Sequence, residues 1–138
     1  MYMSKNNLIQ ARTCVYNVNY HVVWSVKYRK PVLNEEIQKF LKAQFIKIGE
    51  EKGFSIATME VMPDQVRIFV SAHPKVAPSY IVKMLKGISA RRALMQFPYL
   101  TQQLWEGHLW NSSFYIETVG SISEDAIRKY IEHQKTRG

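Results

Sequence analysis

The stretch that decides the fold is Met62-Pro63-Asp64-Gln65-Val66-Arg67-Ile68-Phe69-Val70. Proline followed by aspartate is typical of a turn, and the alternation of apolar and polar residues after it predicts a short strand. The apolar set, Val66, Ile68 and Val70, should face a core. Gln65 and Arg67 should then lie two residues apart on the opposite face. From this stretch alone, the simpler interpretation is that they form the solvent face of a half-buried strand.

Composition limits the classes of protein to consider. The chain has 138 residues, of which 46% are hydrophobic, and we expect one folded domain over residues 1–138. A net charge of +8 favours a polyanionic partner such as nucleic acid, although solubility alone also explains such a charge. The single cysteine, Cys14, excludes an intrachain disulfide and fits a reducing compartment. Residues 1–12 predict a flexible arm without a secretory core, and no stretch is apolar enough to cross a membrane, so we expect a cytoplasmic protein.

The first half of the chain predicts a strand, a helix and a hairpin. Residues 14–27 alternate along a long half-buried strand, which a basic turn at 27–31 closes. Asn34 is expected to cap a helix that ends at Gly53. Strands at 54–62 and 65–72 should pair across the Pro63-Asp64 turn.

The second half predicts a helix that starts near Pro78, a strand at 108–119 and a last helix capped by Ser123. On that last helix Tyr130 and Gln134 share one face. The order of elements predicts an α+β, ferredoxin-like antiparallel sheet (βαββαβ) with an additional C-terminal helix. One face of this sheet should be left open by the first two helices and crossed by the last helix. We expect this face to carry His21, Gln65, Arg67 and Phe69.

Five segments, in this order, carry a resemblance to a known family: YHVVWSVKYRKPVL, MEVMPDQVRIFVSAHP, VKMLKGISARR, LWEGHLWNSSFYIETVG and IRKYIEHQ. Together they resemble the small single-strand DNA transposases of bacterial and archaeal insertion sequences. These are members of the HUH endonuclease superfamily with one catalytic tyrosine. The resemblance covers nearly the whole chain, from about Tyr16 to Gln134.

The resemblance implies a homodimer that recognises hairpins in single-stranded DNA. It implies that Tyr130 attacks a phosphodiester to form a 5′-phosphotyrosine link, and that Gln134 helps to bind Mg²⁺ or Mn²⁺. A tyrosine has a pKa near 10 and is a weak nucleophile at neutral pH, which is why such chemistry uses a cation. Without the resemblance, Tyr130 would be interpreted as a core aromatic. The basic segments predict the DNA contacts, which are Lys27, Tyr28, Arg29, Lys83, Lys86, Arg91 and Arg92.

The sequence departs from the family where the family carries His-x-His, the pair of imidazoles that binds the metal. Gln65 and Arg67 occupy these positions. A glutamine offers one neutral oxygen, and an arginine cannot ligate a metal because it stays protonated. Asp64, Gln65 and Gln134 could form a weak oxygen site, but the charge of Arg67 argues against it. His21 and His73 are not expected to replace the missing pair.

Three functions remain open from the sequence. The first is a transposase-family protein that binds hairpin DNA but whose metal-dependent cleavage is lost or weakened. The second is an active, metal-independent nuclease in which Arg67 holds the phosphate in place of the cation. The third is a non-catalytic single-strand nucleic-acid-binding regulator, in which Phe69 stacks bases on an open sheet.

Overall fold

The four strands that the alternating patterns predict form the sheet of this protein. The computed structural model describes residues 17–120. The elements in that range are β1 (Val18–Ser25), α1 (Glu35–Lys52), β2 (Phe54–Val61), β3 (Gln65–Ala72), α2 (Pro78–Gln96), α3 (Leu100–Gln103) and β4 (Tyr115–Val119). Short 3₁₀ turns at Lys27–Arg29 and Trp105–Gly107 lie in the connections.

The strands pair in the order β2-β3-β1-β4, and every pairing is antiparallel. The two central strands, β3 and β1, are therefore the ones that a βαββαβ chain places side by side. The predicted α+β, ferredoxin-like class is confirmed. The predicted arm at 1–12 and the additional C-terminal helix lie outside the described residues.

One face of the sheet is buried against α1 and α2. Val66, Ile68 and Val70 of β3 are fully buried there, as their alternation predicts. The helices contribute an apolar stripe each, formed by Ile37, Leu41, Phe45 and Ile48 from α1 and by Ile81 and Leu85 from α2. This layer is continuous, so the opposite face of β3 and β1 is the one that can hold polar side chains.

Helix α1 begins and ends where the sequence predicts. The Asn34 side chain accepts a hydrogen bond from the Ile37 backbone N–H at 2.9 Å. Gly53 ends the helix in the left-handed region, with φ of 89°, and lets the chain reverse into β2. Gly49, in the last turn, packs so closely on β2 that a Cβ there would lie 2.6 Å from the carbonyl oxygen of Phe54.

The fourth strand begins at Tyr115, and the prediction that it begins at His108 is wrong. Residues 108–114 instead follow the end of β1, with a single bridge between Val26 and Trp110. The alternation is broken because Trp110 turns into the core, where its Nε1–H donates to the Ser89 hydroxyl at 3.0 Å. The aromatic residues near Trp110 in the sequence resemble the pattern of a strand, but they do not form a continuous series of strand hydrogen bonds.

The first strand is also shorter than predicted, since it ends at Ser25 rather than Lys27. The backbone N–H of Val26 donates to Asp64 and that of Lys27 donates to Leu109, so these residues bond to loops instead of to a strand. The predicted basic turn at Lys27–Pro31 follows directly. The start of the predicted strand, at 14–16, lies outside the described range.

Candidate functional site

The Gln65–Arg67 pair lies at the start of β3, immediately after the Pro63-Asp64 turn. The turn is closed by a hydrogen bond of 2.8 Å from the Met62 N–H to the Gln65 carbonyl. Gln65 is the partner of Ser25 on β1, and Arg67 is the partner of Glu60 on β2 and of Val23 on β1. Because Val66 is fully buried on the helix side, both polar side chains face the other way.

The Arg67 side chain carries a buried nitrogen, Nη1, that has no hydrogen-bond acceptor within residues 17–120. Glu60, its cross-strand neighbour, supplies a nearby negative charge. A buried N–H donor without an acceptor is costly, and a guanidinium matches the oxygens of a phosphate group. Arg67 therefore brings to this face a positive charge and a buried N–H donor without a partner among the described residues.

Asp64 is engaged by an arginine. Its Oδ2 accepts hydrogen bonds from Nε and Nη2 of Arg29, at 3.2 and 3.0 Å. The contact ties the Pro63-Asp64 turn to the basic Lys27–Arg29 turn. It also gives the Asp64 carboxylate a positive partner, which competes with any metal ion for that charge.

The described residues do not fit the Mg²⁺ or Mn²⁺ ion that the resemblance implies. No cluster of three His, Cys, Asp or Glu side chains that could hold a metal occurs between residues 17 and 120. Of the predicted ligands there, Gln65 offers one neutral oxygen, Asp64 is paired with Arg29, and Arg67 brings a positive charge to the same face. At the position where the resemblance implies a cation site, this face therefore carries the cationic side chain of Arg67.

The two histidines that flank this region have other roles. His73 lies beyond the end of β3, is exposed, and its Nδ1 accepts the Lys75 backbone N–H at 3.1 Å. His21, on β1, is buried on the same face as Arg67, and its Nδ1 lies 3.2 Å from the Glu117 carboxylate. The expectation that neither replaces the His-x-His pair stays a prediction.

Glu117, on β4, is a hydrogen-bond partner of the buried His21. Glu117 accepts a hydrogen bond from the Tyr115 hydroxyl at 2.9 Å, which lowers the pKa of the Glu117 carboxyl, and the contact with His21 lowers it further. The pKa of His21 is lowered chiefly by burial, against the raising effect of Glu117. Sequence reasoning did not single out Glu117. The signal available was its place on a strand that pairs with β1.

The proposal that Phe69 offers an open stacking surface is wrong. Only 1% of Phe69 is exposed, and the His21 ring stacks on it with centroids 4.5 Å apart and an angle of 9°. Its neighbours include Ala57 and Val119. A base therefore cannot reach this ring as it does in an RNA-recognition module.

The predicted DNA contacts on α2 fall into two pairs. Lys83 and Arg91 are exposed. Lys86, whose pKa is lowered by burial, donates to the carbonyls of residues 111–113 at 2.7, 3.3 and 3.3 Å. Arg92 donates to side chains of α1, at 2.9 Å to Gln44 and 3.0 Å to Glu51. Lys86 and Arg92 thus have intramolecular roles that their sequence pattern does not reveal.

Of the remaining predicted contacts, Arg29 lines a cleft of about 330 Å³ at the end of β1. It is lined by Arg29 and Gln65 on one side, by Phe114 and Tyr115 on the other, and by the end of β1. Phe114 and Tyr115 are 46% and 53% exposed. The structure thus brings Arg29 and Gln65 together, whereas Lys27 lines a second cleft with Lys86 and its neighbours on α2. Tyr130 and Gln134 lie outside the described residues.

Three sequence comparisons identify proteins that are similar to this chain. The family model described as "Transposase IS200 like" matches residues 14–134. The ISDra2 transposase TnpA of Deinococcus radiodurans is 45% identical over 125 residues, which cover 91% of this chain and 89% of that protein. The transposase for insertion sequence element IS200 of Salmonella typhimurium is 29% identical over 119 residues, which cover 86% of this chain and 78% of that protein.

Two solved structures are similar in fold. A candidate transposase from Deinococcus radiodurans R1 superposes with a TM-score of 0.75 at 39% identity, over 92% of this chain and 98% of that one. A REP-associated tyrosine transposase bound to a REP hairpin superposes with a TM-score of 0.55 at 14% identity, over 95% of this chain and 68% of that one. At 14% identity the second likeness concerns the fold alone. In the described part of this chain, no helix is long and apolar enough to span a membrane.

Proposed function

This chain belongs to the IS200-like transposase family, and from that premise we propose that it binds hairpins in single-stranded DNA as a homodimer, with metal-dependent cleavage impaired. The family is of a metal-dependent kind. The observation that supports the proposal is that Gln65 and Arg67 stand on the central strand, with an amide and a guanidinium where the resemblance implies two metal-binding imidazoles.

Binding and cleavage make separate demands on this site. Phosphate contacts supply most of the affinity of a protein for DNA, and they need cationic side chains rather than a metal. The exposed cations Lys83 and Arg91, and the cationic turn at Lys27–Arg29, remain in place to make such contacts. We therefore expect hairpin recognition to survive the loss of the imidazoles.

A second candidate function is favoured by the buried Nη1 of Arg67. In this alternative the guanidinium binds oxygens of the scissile phosphate and offsets the charge that develops during transfer. The Tyr130 oxygen then forms the bond to phosphorus, the bond to the 3′-oxygen breaks, and the tyrosine proton is transferred, through solvent, to the departing 3′-oxygen. The products are a 5′-phosphotyrosine and a free 3′-hydroxyl, so the ester bond is conserved for rejoining.

The test incubates the full chain with hairpin oligonucleotides taken from the DNA that flanks its coding sequence, and detects a covalent adduct on a denaturing gel. The variants are Tyr130→Phe and the double substitution Gln65→His with Arg67→His, each with Mg²⁺, Mn²⁺ or EDTA. An adduct only in the double variant, and only with metal, supports impaired cleavage on an intact scaffold. A native adduct that survives EDTA and is absent in Tyr130→Phe supports the second candidate instead.

Hairpin recognition is measured in the same preparation by fluorescence anisotropy. The hairpin should bind more tightly than an unstructured single strand of equal length and equal charge. Equal affinity for the two probes would contradict the recognition of hairpins, because the phosphate charge is then the whole of the interaction.

A further inference from the structure

The backbone of the Lys27–Arg29 turn is strained. Tyr28 adopts φ of 58° and ψ of 21°, and Arg29 adopts φ of 53°. Both lie in the left-handed region, which L-residues other than glycine, asparagine and aspartate seldom enter because the Cβ approaches the carbonyl oxygen. Two such residues in succession, one of them a bulky tyrosine, mark a conformation that the surrounding structure imposes.

The turn is held in this conformation from both sides. The N–H of Val26 donates to Asp64 at 2.8 Å, and that of Lys27 donates to Leu109 at 2.9 Å. Within the turn, the N–H of Arg29 donates to the Val26 carbonyl at 2.7 Å. The Arg29 side chain adds its two hydrogen bonds to Asp64. Strain of this kind persists where the neighbouring structure over-determines it, and it concentrates at functional sites.

Packing of the Tyr28 side chain does not offset the backbone strain. Tyr28 is 66% exposed, more than any other tyrosine of the described chain. The ammonium group of Lys27 lies 5.6 Å from the centroid of the Tyr28 ring. The turn therefore projects an exposed aromatic ring into the solvent, with a cationic residue before it and another after it in the sequence.

Tyr28 directly precedes Arg29, which lines the cleft that contains Gln65. Arg29 joins the two, because its side chain lines the cleft while it binds Asp64, the residue before Gln65. A strand whose phosphates contact Arg29 would enter the cleft between Gln65 and Phe114. Aromatic rings flanked by cations bind single-stranded nucleic acid by stacking on bases, and they do so with little sequence preference.

We propose that Tyr28 is a stacking platform for an unpaired base of single-stranded DNA whose backbone continues into the Gln65 cleft. This inference rests on the proposed function and deepens it, since it assigns one residue to the unpaired part of the DNA rather than to the hairpin stem. The platform is a binding residue and takes no part in bond breaking.

The experiment uses the full chain and one hairpin in two forms, blunt and with an unpaired tail of about ten nucleotides. The fluorescent base 2-aminopurine is placed at successive positions along the tail, because its emission is quenched when it stacks on an aromatic ring. The native protein should quench one or two positions. The substitution Tyr28→Ala should abolish this quenching and weaken binding of the tailed hairpin about 5- to 150-fold, while binding of the blunt hairpin is unchanged.

Two variants distinguish stacking from a general loss of structure. Tyr28→Trp should keep both quenching and affinity, since a larger ring still stacks. Tyr80→Ala removes another exposed tyrosine, on the first turn of α2 beyond the far end of β3, and should behave as the native chain. Tailed-hairpin affinity and quenching that are the same in Tyr28→Ala as in the native chain would overturn the proposal.

The substitution Tyr28→Gly tests the role of the side chain in the fold. Glycine adopts the left-handed conformation freely, so this variant should melt at or above the native temperature and yet lose the tailed hairpin. A melting temperature well below native would mean that Tyr28 stabilises the fold, and would overturn the proposal. Hairpin preference is measured separately, by comparing the affinity of Tyr28→Ala for the blunt hairpin with its affinity for an unstructured strand. The proposed function can therefore be refuted independently of the stacking role of Tyr28.

Discussion

Replacing Arg67 by methionine should stabilise the folded protein while it weakens DNA binding. The native side chain has a buried Nη1 without an acceptor among the described residues. Such a group costs about 1–3 kcal/mol of folding free energy. Methionine fills a similar volume with an unbranched apolar chain and carries no donor.

One opposing effect is the lost attraction to Glu60, the cross-strand neighbour of Arg67. An opposite-charge pair across two strands contributes about 0.2–1 kcal/mol, which is smaller than the cost of the buried donor. The free energy of unfolding should therefore rise by about 1 kcal/mol. For a chain of this length, that corresponds to a melting temperature about 3 °C higher.

The binding side of the prediction concerns one phosphate contact. If Arg67 neutralises a phosphate of a single strand, Arg67→Met should reduce the slope of log affinity against log salt by about 0.7. Thermal melting and anisotropy titrations at several salt concentrations give both quantities. Arg91→Met, an exposed arginine on α2, is the control for stability and should change the free energy of unfolding by less than about 0.5 kcal/mol.

The reasoning is refuted if Arg67→Met melts below the native protein and keeps the native salt slope. That pair of results would mean that the guanidinium is satisfied within the folded chain and does not face a phosphate. A lower melting temperature with a reduced salt slope would support the phosphate contact. It would contradict the folding free energy that is assigned to the unpaired Nη1.

Four further expected outcomes concern Gly49, Gly87, His21 and Lys86. Gly49→Ala should destabilise the fold by at least about 1 kcal/mol in chemical denaturation, because its Cβ would lie 2.6 Å from the Phe54 carbonyl, whereas Gly87→Ala, on an open part of α2, should stabilise it by about 0.5–1 kcal/mol. The lowered pKa of His21 means that the unfolded chain takes up its proton first, so the free energy of unfolding should fall as pH drops below about 6.5, and less so in His21→Gln. Lys86→Met removes the donor to three carbonyls before β4, and should speed hydrogen exchange in β4 while it lowers the melting temperature.

Local patterns predicted the elements that local physics determines. The alternation in β3 placed Val66 in the core and Gln65 on the opposite face, because the side-chain period of a strand leaves no other choice. The ends of α1 followed from its capping residues. The start of β4 was mispredicted because Trp110 is held by Ser89, a residue of α2, and no local pattern encodes a contact between distant segments.

The candidate site also has features that the sequence predicts and features that it does not. That Gln65 and Arg67 share a face could be predicted, and so could the basic character of the Lys27–Arg29 turn. The pairing of Arg29 with Asp64 could not, because it joins positions 35 residues apart. The left-handed backbone of Tyr28 could not be predicted either, because the sequence at this turn contains no glycine or asparagine, the residues that usually indicate such a conformation.

The described residues of this sheet face suit a phosphate group better than a divalent ion. A divalent ion needs neutral or anionic ligands, and the candidates among residues 17–120 are an amide, a carboxylate paired with Arg29, and a guanidinium. A phosphate needs donors and positive charge, and the same positions supply both, through Arg67 and the strained Lys27–Arg29 turn. Strain and a buried donor lower the stability of the protein alone, and a bound strand of DNA would recover that cost. The geometry of this face is therefore better matched to holding single-stranded DNA than to holding a metal.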